Sequence, residues 1–188
     1  DINWPGATTM GVNGLQGVYA SWGGLSPRGS RGFTVYRPNH WAFAGADTYY
    51  GDVIGDEAGI FAYEVDGLDY TFRKGLPYPT GDDGAPTSIE ILALSPAVRV
   101  EEEHDYEGFR YYLGNGKTNS STRTTPGPTP PEGPDPQRYG SGVIVSMAKG
   151  KGEVFCAGSC EWLTGLARGD FTTEQVTRNV LNRFLGRA

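Results

Sequence analysis

The sequence predicts an α+β domain that is rich in β-strand and is closed by a C-terminal helix packed on a sheet. The 188 residues include 29 glycines and 13 prolines, a proportion that favours many turns over long helices. Several short segments alternate apolar and polar residues, and only the C-terminal segment has a clear helical period. We expect one domain over residues 1–188, because this length suits a single core better than two.

The C-terminal helix is the element that the sequence defines best. Thr172 is the expected N-cap, Gln175 completes a capping box, and Phe171 is placed to pack on Val176 as a hydrophobic staple. Gly186 is the expected stop. The apolar side chains of the helix form one stripe that should pack on the sheet, namely Val176, Val180, Leu181, Phe184 and Leu185.

Strands are predicted where β-forming residues run between turn residues. Residues 89–94 are an apolar run expected at the centre of the sheet. Residues 143–147 and 153–157 should form a hairpin around a loop at 148–152. Further strands are expected within 31–43, where Pro38 restricts the strand to an edge or divides it, and at 49–54, 60–65 and 109–113.

Three segments are predicted to be irregular. Residues 1–30 have no sustained period, and residues 76–86 are dense in Pro, Gly and Asp. Residues 114–142 contain six of the 13 prolines and are expected to form a Pro/Gly-rich surface excursion with polyproline character.

The composition argues against several classes of partner. A net charge of −6 offers no basic field for phosphates, so we expect no nucleic acid partner. No apolar run approaches the roughly 20 residues that span a bilayer, so we expect no membrane partner. Cys156 and Cys160 would lie about 13 Å apart in an extended strand, which favours reduced thiols and leaves the cytoplasm and the exterior both open.

Two segments carry a resemblance to a known family. Residues 150–184 read GKGEVFCAGSCEWLTGLARGDFTTEQVTRNVLNRF, and residues 51–69 read GDVIGDEAGIFAYEVDGLD. The first resembles the hairpin strand, small-residue turn with Trp, and Thr-Arg-Asn-Val-Leu helix that end the large (beta) subunit of N,N-dimethylformamidase and its bacterial relatives. The second resembles the acidic Glu-x-Asp strand of the same family, in the same order along the chain.

The resemblance implies an amidohydrolase that cleaves the C–N bond of a small amide and that is built on a glutamine-amidotransferase-like scaffold. It also implies iron, held in the parent protein by tyrosine and glutamate side chains. The family's Gly-His-x-Glu-Tyr-Trp stretch does not occur in these residues. We therefore expect the ligands upstream of Asp1 or in a companion chain, no metal ligand or cofactor within this chain, and an active site that is incomplete on its own.

Glu64 is the first candidate catalytic residue, because the resemblance suggests a general acid/base at this strand. By alternation Glu64 faces away from its neighbours Tyr63 and Val65, and a carboxylate near a strand end can be tuned by burial. Asp66 shares its face and could share a proton or bind a cation. The alternative is a pair of solvent-facing strand carboxylates.

Cys160 is a weaker candidate nucleophile. The turn Ala157-Gly158-Ser159-Cys160 follows a strand, as a nucleophile elbow does, but Trp162 stands where the elbow requires a second glycine. Its base would be His40 or His104, the only histidines. A small buried thiol and an ordinary packed histidine are the alternatives.

Bound cations are a further alternative. Zinc would need Cys156, Cys160, His40 and His104, which lack the paired spacing of zinc sites. Calcium would need acids that are also typical of solvated turns, namely Asp47, Asp52, Asp56, Glu57, Asp82 and Asp83.

A non-catalytic carbohydrate-binding domain is the alternative from a different functional class. The chain has four Trp and eleven Tyr, and Trp22, Trp41, Tyr49 and Tyr50 could form a stacking platform. Such a platform requires coplanar, exposed rings, whereas rings that fill a core are buried.

Overall fold

A five-stranded antiparallel sheet organises the part of the chain that the computed structural model describes, which comprises residues 6–19, 31–62, 64–98 and 139–187. The elements in chain order are α1 (Gly6–Met10), β1 (Asn13–Tyr19), β2 (Phe33–Val35), a 3-10 helix (Trp41–Phe43), β3 (Val53–Ile54), β4 (Glu64–Gly67), β5 (Tyr70–Arg73), β6 (Leu76–Pro79), β7 (Glu90–Val98), β8 (Tyr139–Lys149), β9 (Gly152–Cys156), α2 (Trp162–Ala167) and α3 (Phe171–Phe184).

The five-stranded sheet has the order β3-β2-β7-β8-β9, and each neighbouring pair is antiparallel. Two antiparallel ribbons accompany it, β1-β4 and β5-β6. The α+β class, the abundance of strand and the C-terminal helix are therefore confirmed.

The apolar run at 89–94 and the C-terminal hairpin were predicted correctly. Residues 90–94 of the run lie in β7, at the centre of the sheet, and β8 and β9 form the hairpin. The hairpin turn is tighter than predicted, because Lys149 still pairs with Gly152. The strand β8 begins at Tyr139, so the prediction of a surface excursion through residue 142 is wrong at its C-terminal end.

The ribbon β1-β4 packs closely on the first half of β8, and glycines make this approach possible. A Cβ atom on Gly140 would lie 2.6 Å from the Gly17 carbonyl oxygen. A Cβ atom on Gly142 would lie 2.9 Å from the Cβ atom of Val65 in β4. Both distances are too short for real contacts, so a larger side chain here would force the ribbon away from the sheet.

Alternation along β8 divides the core between the two faces of the sheet. Ile144 faces the layer that contains α3, whereas Val143 and Val145 face the opposite layer. The first layer is built mainly from Phe33, Phe61, Ile60, Leu92 and Val176, and the second from Leu68, Ile89, Ile91, Leu94 and Met147.

The start of the C-terminal helix differs from the prediction of a Thr172 N-cap. The cap of α3 is Asp170, whose backbone is extended and whose carboxylate accepts a hydrogen bond from Thr173 N at 2.8 Å. Gln175 does not close a capping box but donates to the Ala44 carbonyl and to Asn179 Oδ1. Phe171 is exposed, so no staple forms on Val176.

The predicted stripe of α3 is covered only in part. Val176 is buried and Val180 half-buried, but Leu181, Phe184 and Leu185 are exposed by 55%, 51% and 61%. Successive helical residues are rotated by about 100°, so Leu181 and Leu185 project away from the side of Val176. The prediction that the whole stripe packs on the sheet is therefore wrong for its C-terminal half.

Other segments are more regular than predicted. Residues 76–79 form β6, which pairs with β5 and places Pro77 and Pro79 at alternate positions of a two-stranded ribbon. The opening segment contains α1 and β1. Pro38 divides the segment 31–43 into β2 and the 3-10 helix.

The remaining predicted strands are shorter than expected or fall elsewhere. The strand predicted at 49–54 is reduced to β3, and the one at 60–65 begins only at Glu64. The predicted strand at 109–113 and residues 114–138 lie outside the described residues.

Within the described ranges, no helix is long and apolar enough to cross a membrane.

Candidate active site

Strand β4 lies between β1 and the turn that follows β9. Asp66 N donates to the Gly158 carbonyl at 2.9 Å, and Cys160 N donates to the Glu64 carbonyl at 3.3 Å. Val65 and Ser159 form the bridge between these two bonds. The turn at 158–160 therefore continues the pairing on the free edge of β4 and brings Cys160 beside Glu64.

A glycine is required at the centre of this turn. Gly158 has φ of +62°, and a Cβ atom there would lie 2.0 Å from the Val143 carbonyl oxygen. The turn thus rests directly on the backbone of β8, which is possible only without a side chain. This contact holds the turn, and with it Cys160, against β4.

The carboxylates of Glu64 and Asp66 share one side of β4. Val65 between them is fully buried, whereas both acids are half-buried, as alternation along a strand requires. The predicted pairing of these two acids on one face is therefore present in the structure. Neither is a freely solvated surface carboxylate.

Burial and nearby negative charges on this face of β4 favour the protonated, neutral forms of its titratable side chains. Burial raises the pKa of Glu64, and the nearby negative charge of Asp66 raises it further. Cys160 is an exposed residue, but partial desolvation of its thiol raises the pKa, and the charges of Glu161 and Glu64 add to the effect. The Cys160 thiol is thus held in its protonated form, which is the poorer nucleophile.

Cys156 is a neighbour of this site that the sequence did not single out as such. Burial raises the pKa of its thiol, and the charge of Asp66 contributes in the same direction. Both cysteines are free thiols. The proximity of Cys156 to Asp66 becomes visible only when β4 is paired with the turn, because more than eighty residues separate Asp66 from Cys156 in the sequence.

His40 lies in a different cluster from Cys160. It is the N-cap of the 3-10 helix, and its Nδ1 accepts a hydrogen bond from Ala42 N at 3.2 Å. Its Nε2 lies 3.7 Å from the Glu90 carboxylate, and its side chain is 8% exposed. Nδ1 is therefore hydrogen-bonded and Nε2 faces Glu90, and the structure does not bring His40 to Cys160. His104 lies outside the described residues.

Charges of both signs surround His40. Burial lowers its pKa, the carboxylates of Glu90 and Glu153 oppose this, and Arg183 and Arg37 lower it further. Arg183 binds Glu153 at 2.5 Å and lies over the Trp41 ring at 4.5 Å, which joins α3 to β9 and the 3-10 helix. We call His40, Trp41, Glu90, Glu153 and Arg183 the His40 cluster.

The described part of the chain does not bring the candidate zinc and calcium ligands together. Among the described residues, no group of three or more His, Cys, Asp and Glu side chains is arranged to hold a metal ion. Asp52 and Asp83, candidates for calcium, instead accept backbone hydrogen bonds from Tyr49 N and Asp69 N, both at 2.8 Å. The resemblance implies iron held by tyrosine and glutamate side chains of the parent protein, and no catalytic step is assigned to it.

The aromatic residues considered for sugar stacking do not form one platform in the described structure. Tyr49 and Tyr50 are exposed, but Tyr50 packs edge-on against Tyr36 with the rings at 89°. Trp41 lies in the His40 cluster, tilted against the ring of Phe155. Trp22 lies outside the described residues. Among the described ring pairs, none has the coplanar arrangement that a stacking platform requires.

A small apolar groove lies in the layer that contains α3, between β9 and the two C-terminal helices. Its volume is about 170 Å³. The lining residues are Phe155, Ala157, Trp162, Thr177, Val180 and Leu181. The groove is apolar and lacks titratable groups, so it is not a second acid–base site.

Comparison with known proteins agrees with the resemblance carried by the two quoted segments. A family model described as N,N-dimethylformamidase beta subunit-like, C-terminal, matches residues 3–177. No curated protein and no solved structure gave a significant match. Since the family match covers most of the 188 residues, the chain belongs to the N,N-dimethylformamidase beta subunit-like family, of which it represents the C-terminal region.

Proposed function

We propose that this chain is the C-terminal domain of a dimethylformamidase-like amidohydrolase and supplies one wall of a site that hydrolyses the C–N bond of a small amide. Family membership supports the reaction class, and the description of the matching family as a C-terminal region supports a site shared with an upstream domain or companion chain. The proposed likeness to part of a glutamine-amidotransferase-like scaffold has the same support.

The observation that carries this proposal is the half-buried acid pair on β4. Glu64 and Asp66 face the same side, and burial together with the charge of Asp66 raises the pKa of Glu64. A raised pKa brings a carboxyl group closer to the working pH, where it can both accept and return a proton. We assign Glu64 as the general acid/base, and Asp66 as the residue that tunes it.

Amide hydrolysis needs a proton at two points. Water loses a proton as it attacks the carbonyl carbon, and the amine nitrogen gains one as the C–N bond breaks. A single carboxyl group serves both steps: it takes the proton from water as carboxylate and gives it to the departing amine as carboxylic acid. The two thiols beside the acids add polar but uncharged surface, because desolvation raises the pKa of each.

The test is hydrolysis of simple amides by the full parent protein. We expect Glu64→Gln to lower kcat by about 100-fold or more, since the substitution keeps the shape of the side chain and removes its ability to accept and donate a proton. Glu174→Gln is the matched control, because Glu174 is an exposed acid in the first turn of α3, and it should leave activity unchanged. Undiminished activity of Glu64→Gln in a folded protein would contradict the assignment.

A further inference from the structure

The turn that lies along β4 is bonded to the start of α2. Ser159 is the turn residue that bridges to Val65, and its carbonyl oxygen accepts a hydrogen bond from Trp162 N at 3.4 Å. Its hydroxyl oxygen accepts a second hydrogen bond from the N-cap residue, Glu161 N, at 3.2 Å. The first turn of α2 is therefore attached directly to the segment that runs beside Glu64.

Trp162 fixes the position of α2 on α3. Its side chain is 9% exposed, and its indole Nε1 donates a hydrogen bond to Thr177 Oγ1 at 2.9 Å. The Thr177 hydroxyl donates its own proton to the Thr173 carbonyl at 2.7 Å, which leaves its oxygen lone pairs for the indole. A Cβ atom on Gly165 would lie 2.7 Å from Thr173 Oγ1, so the two helices are in close contact beside this bond.

Helix α3 gives these contacts a fixed base. Val176 is fully buried in the core, and Asn179 Nδ2 donates to the Ala42 and Ala44 carbonyls at 2.9 and 2.8 Å. A continuous set of contacts therefore runs from the core through α3 and α2 to the turn, and from the turn to Glu64.

We propose that Trp162 is a positioning residue for Glu64: through its bond to Thr177 it holds the turn at 158–160 against β4 and keeps the Glu64 carboxyl group in place for proton transfer. The inference rests on the proposed function of Glu64. Trp162 acts through the turn, because its indole N–H is used by Thr177 and its ring lines the groove beside α3. A displacement of about 1 Å in an active site can lower the rate about 100-fold, so a contact remote from the chemistry can control it.

The position of the turn should also affect the titration of Glu64. Asp66 on the same strand and the Cys160 thiol on the turn are described titratable groups beside Glu64, and Tyr19 is its register partner on β1. Burial is the largest cause of the raised pKa of Glu64. A loosened turn admits water to this carboxyl group, so its pKa should fall toward the ordinary value of 4.5.

Amide hydrolysis by variants of the parent protein tests the proposal. Trp162→Phe keeps an aromatic ring but removes the N–H donor, and it should lower kcat about tenfold while KM changes by less than about twofold. Thr177→Val removes the acceptor and should have the same effect, whereas Thr177→Ser keeps the hydroxyl and should behave as the wild type. Trp41→Phe is the control for loss of an indole from the His40 cluster, and it should leave both constants unchanged.

NMR titration of the Glu64 carboxyl carbon in the 188-residue chain provides a readout that does not depend on activity. Trp162→Phe and Thr177→Val should lower the pKa of Glu64. Thr177→Ser and Trp41→Phe should leave it at the wild-type value.

A purely structural role for Trp162 predicts a different result. In that case Trp162→Phe lowers stability in urea but leaves kcat and the pKa of Glu64 at their wild-type values, and this outcome would overturn the proposal. A Thr177→Ser protein as impaired as Thr177→Val would do the same. If Trp162→Phe does not fold, the two Thr177 variants decide the question.

Failure of the proposed function gives a separate result. A wild-type parent protein that hydrolyses no amide would remove the assignment of Glu64 as general acid/base. The NMR titration would still decide whether Trp162 positions Glu64.

Discussion

The acid pair on β4 and the His40 cluster both contain carboxylates, but the neighbouring charges act on them in opposite ways. On β4, the charge that acts on Glu64 is that of Asp66, which has the same sign, and burial adds to the effect. In the His40 cluster, the Arg183 guanidinium opposes the charges of the carboxylates, and Glu153 and Arg183 form a direct ion pair. Like charges that shift each other's pKa values are typical of functional sites, whereas opposite charges that form ion pairs are typical of structural contacts.

The backbone support of the two regions differs as well. The acid pair depends on a turn that packs against β8 with no room for a side chain. The His40 cluster is held by side chains, because Asn179 Nδ2 donates to the Ala42 and Ala44 carbonyls and Arg183 lies on Trp41. Substitutions should therefore affect the first region through the backbone and the second through individual polar contacts.

The largest expected effect comes from filling the turn beside β4. Gly158→Ala should lower the free energy of unfolding by about 3 kcal/mol, from a left-handed backbone and a direct clash with β8. Gly150→Ala is the matched control, because Gly150 has a φ of +60° but no atom near its Cβ position, and it should cost only about 1 kcal/mol. Urea unfolding measures both, and equal losses would show that the contact with Val143 adds nothing.

An intermediate effect is expected at His40. His40→Ala removes the acceptor of the Ala42 amide and should cost about 1 kcal/mol at pH 7.5, whereas His40→Asn retains an acceptor and should cost less. Urea unfolding of the three proteins provides the comparison. Equal losses in the two variants would contradict a capping role for the ring.

The pH dependence of this effect has a definite sign. Because the pKa of His40 is lower in the folded protein than its usual 6.5, the unfolded chain binds more protons between the two values. Wild-type stability should be complete above pH 6.5 and fall as the pH drops through this window. His40→Asn should not show that loss of stability. His104 is present in both proteins, so its contribution cancels when the two are compared. Parallel curves for the two proteins would contradict the lowered pKa.

The smallest effect should appear on removal of the second acid. Asp66→Asn should lower the pKa of Glu64, since it removes the negative charge that raises it, while burial continues to hold the pKa above 4.5. Titration of the Glu64 carboxyl carbon by NMR measures the change. In the active parent protein, the acidic limb of the pH–rate profile should move the same way. An unchanged pKa would mean that the two acids do not interact.

Some of these features could be predicted from residue pattern alone. The apolar run of β7 and the β8–β9 hairpin were predicted because strand pairing through a short turn is a local property. The shared face of Glu64 and Asp66 follows from alternation along any strand. By contrast, residues 76–79 were predicted as loop because of their prolines. They form β6 because a two-stranded ribbon tolerates proline at positions whose backbone nitrogen is not needed for pairing.

By itself, the sequence determined the α+β class, the central strand, the hairpin, the C-terminal helix and the family. These depend on residue order within short windows or over a recognisable stretch of chain. Only the tertiary structure decided that β4 pairs with the turn at 158–160, that His40 and Cys160 lie apart, and that half of the α3 stripe is uncovered. The physical reason is that periodicity specifies which side of an element is apolar, whereas the covering of that side depends on segments distant in the chain.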